Sequence, residues 1–172
     1  STITDDGSGK CNLITDPVDS GLLVCGHVDV VPALDAGWTG PPFSGAVRKG
    51  NVWGRGATDM KGGCAALISA YLSFLDRYGK APAQMAFVCD EETGGDCGIR
   101  YLIRKKLIAP CDCLIAEPTP KNHPNIGQKG LVRLGLRFSG TPGHGSLYPL
   151  VGKSAIIEAV DFIRYLNELH TR

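Results

Sequence analysis

One histidine and several carboxylates stand at positions where this chain could bind a metal ion. The set comprises His27, Asp29, Asp59, Glu91, Glu92 and Glu117. All but Asp59 follow runs of apolar residues that are long enough to be buried strands. Because the carboxyl ends of parallel strands meet at one edge of an α/β sheet, we expect these side chains to converge there. Imidazole and carboxylate groups are ligands for divalent metals, so the sequence predicts a metal-dependent hydrolase.

Hydrophobic periodicity predicts the elements that must bring these side chains together. Strands are predicted at 22–25, 84–89 and 113–116, with a short strand at 12–15 and a hairpin of 46–48 and 52–53. Helices are predicted over 60–78 and 97–107, where apolar residues recur at helical spacing. The alternation of strand and helix predicts an α/β fold, in which a largely parallel sheet has flanking helices.

A change of composition near the middle of the chain predicts a second domain. Three prolines within seven residues indicate a linker, and we place the two domains at 1–122 and 123–172. Beyond the linker, 131–138 alternates between faces like a half-exposed antiparallel strand, and 155–169 predicts an amphipathic helix. One strand and one helix cannot bury their own apolar faces, so the second domain is expected to be incomplete.

Composition argues against several classes of protein. A hydrophobic content of 43% supports a packed core rather than disorder. A net charge of +1 offers no bulk attraction to nucleic acid or to a membrane surface, so neither is an expected partner. The chain shows no signal peptide and no apolar run of transmembrane length. Its seven cysteines are an odd number and lack zinc-ribbon spacing, and we expect all of them to be reduced thiols of a cytoplasmic protein.

The spacing of the candidate residues limits what each can do. His27 and Asp29 are two residues apart, so an extended backbone places both on one side, where Asp29 can support His27. Asp59 could ligate one metal, bridge two, or cap the helix that follows it. Adjacent Glu91 and Glu92 diverge in an extended backbone, so one can bind metal while the other faces the attacking water. Glu117, which follows the predicted strand at 113–116, offers a further oxygen ligand.

Short motifs along the chain carry a resemblance to a known family. They read HVDVVP at 27–32, GRGATDMKGG at 54–63, DEETGG at 90–95, AEPT at 116–119 and TPGHGS at 141–146. In this order they resemble the zinc aminoacylase/carboxypeptidase family, which includes acetylornithine deacetylase and succinyl-diaminopimelate desuccinylase. The resemblance implies an α/β catalytic domain followed by the start of an α+β lid domain, through which members often form homodimers. The match stops inside the lid, so a truncated chain is expected.

The same resemblance implies a set of metal ligands. His27, Asp59 and Glu117 would hold one zinc ion. Asp59 and Glu92 would hold a second zinc together with a histidine near the family's C-terminus. Neither His123 nor any other histidine of this chain stands at the position of that last ligand. A complete member would therefore carry two zinc ions, for which cobalt could substitute.

The catalytic roles are likewise implied by the resemblance. Glu91 would be the general base that takes a proton from the attacking water. Asp29 would act behind the metal-binding imidazole of His27. His144 matches a lid residue that, in dimeric members, reaches the active site of the partner and stabilises the tetrahedral oxyanion.

These roles predict hydrolysis of a small N-acyl amino acid or short peptide. Deacylation of the acetylornithine or succinyl-diaminopimelate type is the first expectation, because AEPT at 116–119 resembles those branches. A dipeptidase or carboxypeptidase of the same family is the alternative. Because one ligand has no match here, the chain by itself is expected to be inactive, and a non-catalytic metal-binding fragment is a further hypothesis. A purely structural α/β domain is the least favoured interpretation.

Overall fold

The computed structural model describes residues 1–34, 36–120 and 122–170, except for the side chain of His170. The chain forms two compact units, Ser1–Asn125 and Ile126–Arg172. The sequence placed the division after residue 122, and the roles of the two domains stay predictions. Within the described ranges, no helix has both the length and the apolar character to cross a membrane.

A mixed five-stranded sheet with flanking helices organises the first unit. Its strands are β1 (Thr2–Asp5), β2 (Cys11–Ile14), β3 (Leu22–His27), β6 (Gln84–Val88) and β7 (Asp112–Ile115), with β4 (Ala46–Arg48) and β5 (Asn51–Trp53) forming a separate hairpin. The order in the sheet is β1-β2-β6-β3-β7, in which β3 runs parallel to both β6 and β7. The predicted α/β class, the parallel pairings and the hairpin are confirmed; β1 was not predicted.

Two apolar layers cover the two faces of the sheet. The first contains Leu23, Cys25, Ala86, Val88 and Leu102, and the second contains Val24, Met60, Cys64, Met85 and Phe87. Alternate residues of β3 and β6 belong to opposite layers, as the two-residue period of a strand requires. Helix α2 (Ile99–Arg104) supplies Leu102 to the first layer, and helix α1 (Gly62–Tyr78) supplies Cys64 to the second.

The segment before α1 differs from the predicted helix over 60–78. Residues Ala57–Lys61 form a short π-helical turn, and the helix proper begins at Gly62. Asp59 lies in this turn with an extended backbone (φ −112°, ψ 101°), and α1 has no side-chain cap. The alternative that Asp59 caps the helix is therefore wrong, because Lys61 occupies the N-cap position and the Asp59 carboxylate contacts His27 instead. Helix α2 is also shorter than the predicted 97–107.

The second unit confirms the predicted helix but not the predicted strand. Helix α3 spans Ala155–His170, and a single antiparallel bridge joins Thr141 to Lys153. The prediction of a strand at 131–138 is wrong, since that stretch has no regular secondary structure and Leu131 and Leu134 are largely exposed. Alternation marks a segment that can enter a sheet, but a strand exists only through pairing, and no described residue pairs with this one.

The cysteines are free thiols throughout the chain. Cys25, Cys64 and Cys89 are buried, as expected for small core residues. Burial raises the pKa of Cys25 to about 12. This thiol therefore stays protonated at neutral pH and acts as part of the core rather than as a nucleophile.

Candidate metal centre

His27 is the centre of a cluster of acids at the carboxyl end of β3. Its side chain is 2% exposed, and its Nε2 atom lies 3.1 Å from Asp59 Oδ1 and 3.3 Å from Glu117 Oε1. One potential ligand atom from each of these three residues falls within 4.8 Å of the others. The structure thus brings together the three residues that were predicted to hold one zinc.

The fold explains how residues so distant in sequence meet. His27 ends β3, and Glu117 follows β7, the parallel neighbour that ends at Ile115. The two side chains therefore project from the same edge of the sheet, as strand-end geometry predicts. Asp59 comes from a different element, the turn before α1, and its Oδ1 atom lies 3.1 Å from His27 Nε2.

The donor set fits a divalent cation. His27 Nδ1 lies 3.0 Å from the backbone oxygen of Asp29. In the tautomer that donates this hydrogen, Nε2 presents a lone pair toward two carboxylates, Asp59 and Glu117. Three electron-rich groups that face one another require a proton or a metal ion between them. One imidazole nitrogen and two carboxylate oxygens are ligands that suit zinc.

The charge distribution agrees with this requirement. Burial alone would lower the pKa of His27, but Glu117, the backbone oxygen of Asp29 and nearby carboxylates more than offset it, and the pKa is raised. Burial also raises the pKa of Glu117, with Asp59, Glu91 and Glu92 adding to the effect against the opposing influence of His27. Both groups therefore hold protons more readily than usual in the metal-free protein.

Asp29 links the imidazole to the turn that carries the glutamate pair. Its carboxylate lies 3.4 Å from His27 Nδ1, although the closer partner of that nitrogen is the Asp29 backbone oxygen. The same carboxylate accepts hydrogen bonds from the backbone N–H groups of Glu91 (3.2 Å) and Glu92 (3.1 Å). Asp29 thus contacts His27 Nδ1 and also orients the turn after β6. The sequence did not suggest this second contact.

Replacing Asp29 by asparagine should destabilise this corner of the sheet. The asparagine side chain keeps one oxygen, but its NH₂ group then faces a backbone N–H. One of the two hydrogen bonds from the backbone to this side chain is therefore lost. We expect the free energy of unfolding to fall by about 1–3 kcal/mol. Urea denaturation measures this, with Asp19→Asn at an exposed loop position as control. Equal stability of the two variants would contradict the linking role of Asp29.

Glu91 and Glu92 begin a short 3₁₀ turn after β6. With His27, they form a second set of potential ligands whose atoms lie within 4.8 Å of one another. In the predicted arrangement Glu92 binds the second metal with Asp59, while Glu91 acts as base. The structure brings both glutamates close to the His27 imidazole. Which of them binds metal and which acts as base stays a prediction.

His144 lies in the second unit. It precedes a short 3₁₀ turn (Gly145–Leu147), and its Nδ1 lies 2.8 Å from Ser146 Oγ. This contact gives the exposed imidazole a defined orientation. Its predicted role in oxyanion stabilisation stays a prediction.

Met60 was predicted on the apolar face of a helix, and Lys61 had no predicted role. Lys61 donates a hydrogen bond from Nζ to the backbone oxygen of Val28 over 2.6 Å. Met60 is completely buried against the end of β3. Both residues belong to the GRGATDMKGG motif at 54–63. This motif was the sequence feature that pointed to them, but it does not show what they contact.

Comparison with known proteins identifies the family. The sequence profile of peptidase family M20/M25/M40 matches residues 23–166. The chain belongs to this family. The match includes every residue of the His27 cluster and also the His144 segment, and the family resemblance read from the motifs is therefore confirmed.

Individual relatives agree with that assignment. The chain is 37% identical over 156 residues to a succinyl-diaminopimelate desuccinylase of Blochmanniella floridana, a match covering 84% of this chain and 40% of the relative. It is 34% identical over 166 residues to an acetylornithine deacetylase of Proteus mirabilis, covering 95% of this chain and 42% of the relative. The chain thus spans about two fifths of the length of these relatives.

A solved structure supports the fold. The M20 family metallo-carboxypeptidase Sso-CP2 from Sulfolobus solfataricus superposes with a TM-score of 0.51 at 23% identity, covering 67% of this chain and 28% of that protein. At this identity the similarity supports the α/β architecture alone.

Proposed function

We propose that this chain is part of a zinc-dependent amidohydrolase that removes the acyl group from a small N-acyl amino acid. The observation that carries the proposal is the placement of His27 Nε2 opposite Asp59 and Glu117, with Glu91 and Glu92 grouped around the same imidazole. The relatives named as a desuccinylase and a deacetylase favour the deacylation of succinyl-diaminopimelate or acetylornithine type.

Different residues of the chain would have different roles in such a reaction. Zinc, when bound, polarises the scissile carbonyl and lowers the pKa of water. His27, Asp59 and Glu117 would hold this ion, and Glu92 with Asp59 would hold a second one. Glu91 would take the proton from the attacking water and pass it to the leaving amine.

The surroundings of Asp59 suit a small substrate. A cavity of about 300 Å³ adjoins Asp59 and is lined by Trp38, Trp53 and Arg55. Ligand sites for small molecules begin at about this volume and combine aromatic walls with a few polar groups. Arg55 lies over the ring of Trp38, with its guanidinium carbon 5.2 Å from the ring centroid. The cavity thus offers two aromatic side chains and one cation beside Asp59.

Activity assays of the full-length protein test the proposal. The zinc- or cobalt-loaded protein should cleave at least one member of a panel of N-acetyl and N-succinyl amino acids, and a chelator should abolish the cleavage. Cleavage of dipeptides alone would favour the dipeptidase or carboxypeptidase alternative. Cleavage of nothing in the panel would contradict the enzyme proposal and leave the metal-binding fragment as the better description.

We infer that the whole protein acts in the cytoplasm on small molecules, with neither nucleic acid nor membrane as a partner. A homodimer formed through the lid domain would let His144 reach the active site of the partner subunit. Sedimentation of the full-length protein tests the dimer, and an exclusively monomeric protein would remove that role for His144.

A further inference from the structure

Two sulfur atoms contact the backbone of His27 where the neighbouring strand ends. The N–H of His27 lies 3.2 Å from Met60 Sδ, and the Cys64 thiol donates to the carbonyl oxygen of His27 over 3.4 Å. Thioether sulfur is a weak acceptor and a thiol a weak donor, so both contacts are hydrogen bonds of the weaker kind. Together they occupy both backbone polar groups of the central candidate ligand.

The sheet itself explains why sulfur is needed at this point. Val28 donates its N–H to Val88 of β6, so the preceding residue, His27, directs its N–H and carbonyl toward the β7 side. The paired register of β7 ends at Ile115, opposite Cys25. The polar groups of His27 thus extend beyond the last strand pair, and the segment before α1 supplies the missing partners.

Burial leaves water no access to these groups. Met60 is 0% exposed, Cys64 6% and His27 2%. A β-carbon at Gly26 would lie 2.6 Å from Cys64 Sγ, so only glycine allows the sulfur to approach this closely. Without the sulfurs, the N–H and carbonyl of His27 would be buried and unpaired.

The same short segment also carries a candidate metal ligand. Asp59 directly precedes Met60, and Lys61 donates to the backbone oxygen of Val28 over 2.6 Å. Three successive contacts therefore fasten 59–64 to the backbone of His27 and Val28. The relative position of the His27 imidazole and the Asp59 carboxylate depends on these contacts.

We propose that Met60 and Cys64 are positioning residues of the metal centre, whose sulfur atoms hold the His27 backbone at a defined place relative to Asp59. The inference rests on the proposed zinc site and adds to it a role for residues that touch neither metal nor substrate. Outer-shell partners of this kind tune metal affinity by orienting the ligands.

Replacing Met60 by leucine tests the role, because leucine keeps the apolar volume and removes the acceptor. Met85 provides a matched control, since it is the other methionine of the chain, is 6% exposed and packs in the same apolar layer. We expect Met60→Leu to weaken zinc binding about 10-fold or more, as outer-shell changes typically do. Met85→Leu should leave the zinc affinity within about twofold of the original. Zinc titration of the 172-residue chain by calorimetry measures both values.

A metal-free measurement separates positioning from general packing. In the apo chain, hydrogen exchange at the His27 amide should be faster in Met60→Leu than in Met85→Leu, while the two variants have similar thermal unfolding midpoints. Cys64→Ala should also weaken zinc binding, as Met60→Leu does. It serves as the second variant if Met60→Leu does not fold.

The outcomes distinguish this inference from the proposed function. Equal zinc affinities and equal His27 amide exchange in the two methionine variants would overturn the positioning role alone. Failure of the unmodified chain to bind zinc would overturn the metal centre and this inference with it. Weaker zinc binding and faster exchange confined to Met60→Leu and Cys64→Ala would support both.

Discussion

Replacing His27 by alanine should leave the chain unable to retain zinc after dialysis, whereas the unmodified chain should retain about one ion. The imidazole is the one nitrogen ligand in the cluster and lies between Asp59 and Glu117. Its removal should lower the zinc affinity by more than about 10- to 100-fold, the loss typical of outer-shell changes. Elemental analysis of zinc per chain gives the result directly.

The control and a second readout make this experiment decisive. His123→Ala removes an exposed histidine outside the cluster and should keep the zinc. Zinc at 100 times its dissociation constant should raise the free energy of unfolding of the unmodified chain by about 2.7 kcal/mol, and should not stabilise His27→Ala. Zinc retained equally by both alanine variants would show that His27 is a buried structural histidine.

Replacing Glu91 by glutamine in the full-length protein should lower kcat by about 100- to 10,000-fold, the range that a general base contributes. The amide has nearly the same shape as the carboxylate but cannot accept the proton. Because Glu91 is predicted not to be a ligand, zinc content should remain unchanged. Steady-state kinetics and zinc analysis of the same preparation provide both numbers.

Glu92→Gln is the matched comparison, because it makes the same chemical change on the adjacent residue. The predicted ligand role of Glu92 implies loss of metal at the second site along with lower turnover. The structure groups both glutamates with His27, so the pair of variants decides which one is base and which one is ligand. Loss of zinc in Glu91→Gln with normal zinc in Glu92→Gln would reverse the two assignments.

Elements with a strong local signal were predictable from the sequence. The buried runs that became β3 and β6 are continuous and apolar, as strands covered on both faces must be. Their parallel pairing followed from the intervening helix, since parallel neighbours need a long crossover. The segment 131–138 shows the opposite case, because its alternation was clear but a strand needs a partner that the described residues do not supply.

The limits of helix prediction around Asp59 have a similar cause. Apolar spacing from Met60 onward resembles a helix, yet the backbone at Asp59 and Met60 is not helical. Met60 is apolar because it fills the space beside the end of β3, rather than because it lies on the face of α1. Periodicity records that a residue is buried, but it does not record which element the residue packs against.

By itself, the sequence determined the candidate ligands and the sheet edge on which His27 and Glu117 meet, because strand ends and residue types are local properties. Only the tertiary structure decided how Asp59 approaches the imidazole, that Asp29 holds the amides of the glutamate turn, and that sulfur atoms replace a strand partner at His27. Each of these is a contact between segments far apart in the chain. Such contacts depend on where a strand stops and what fills the gap, and no local pattern of residues carries that information.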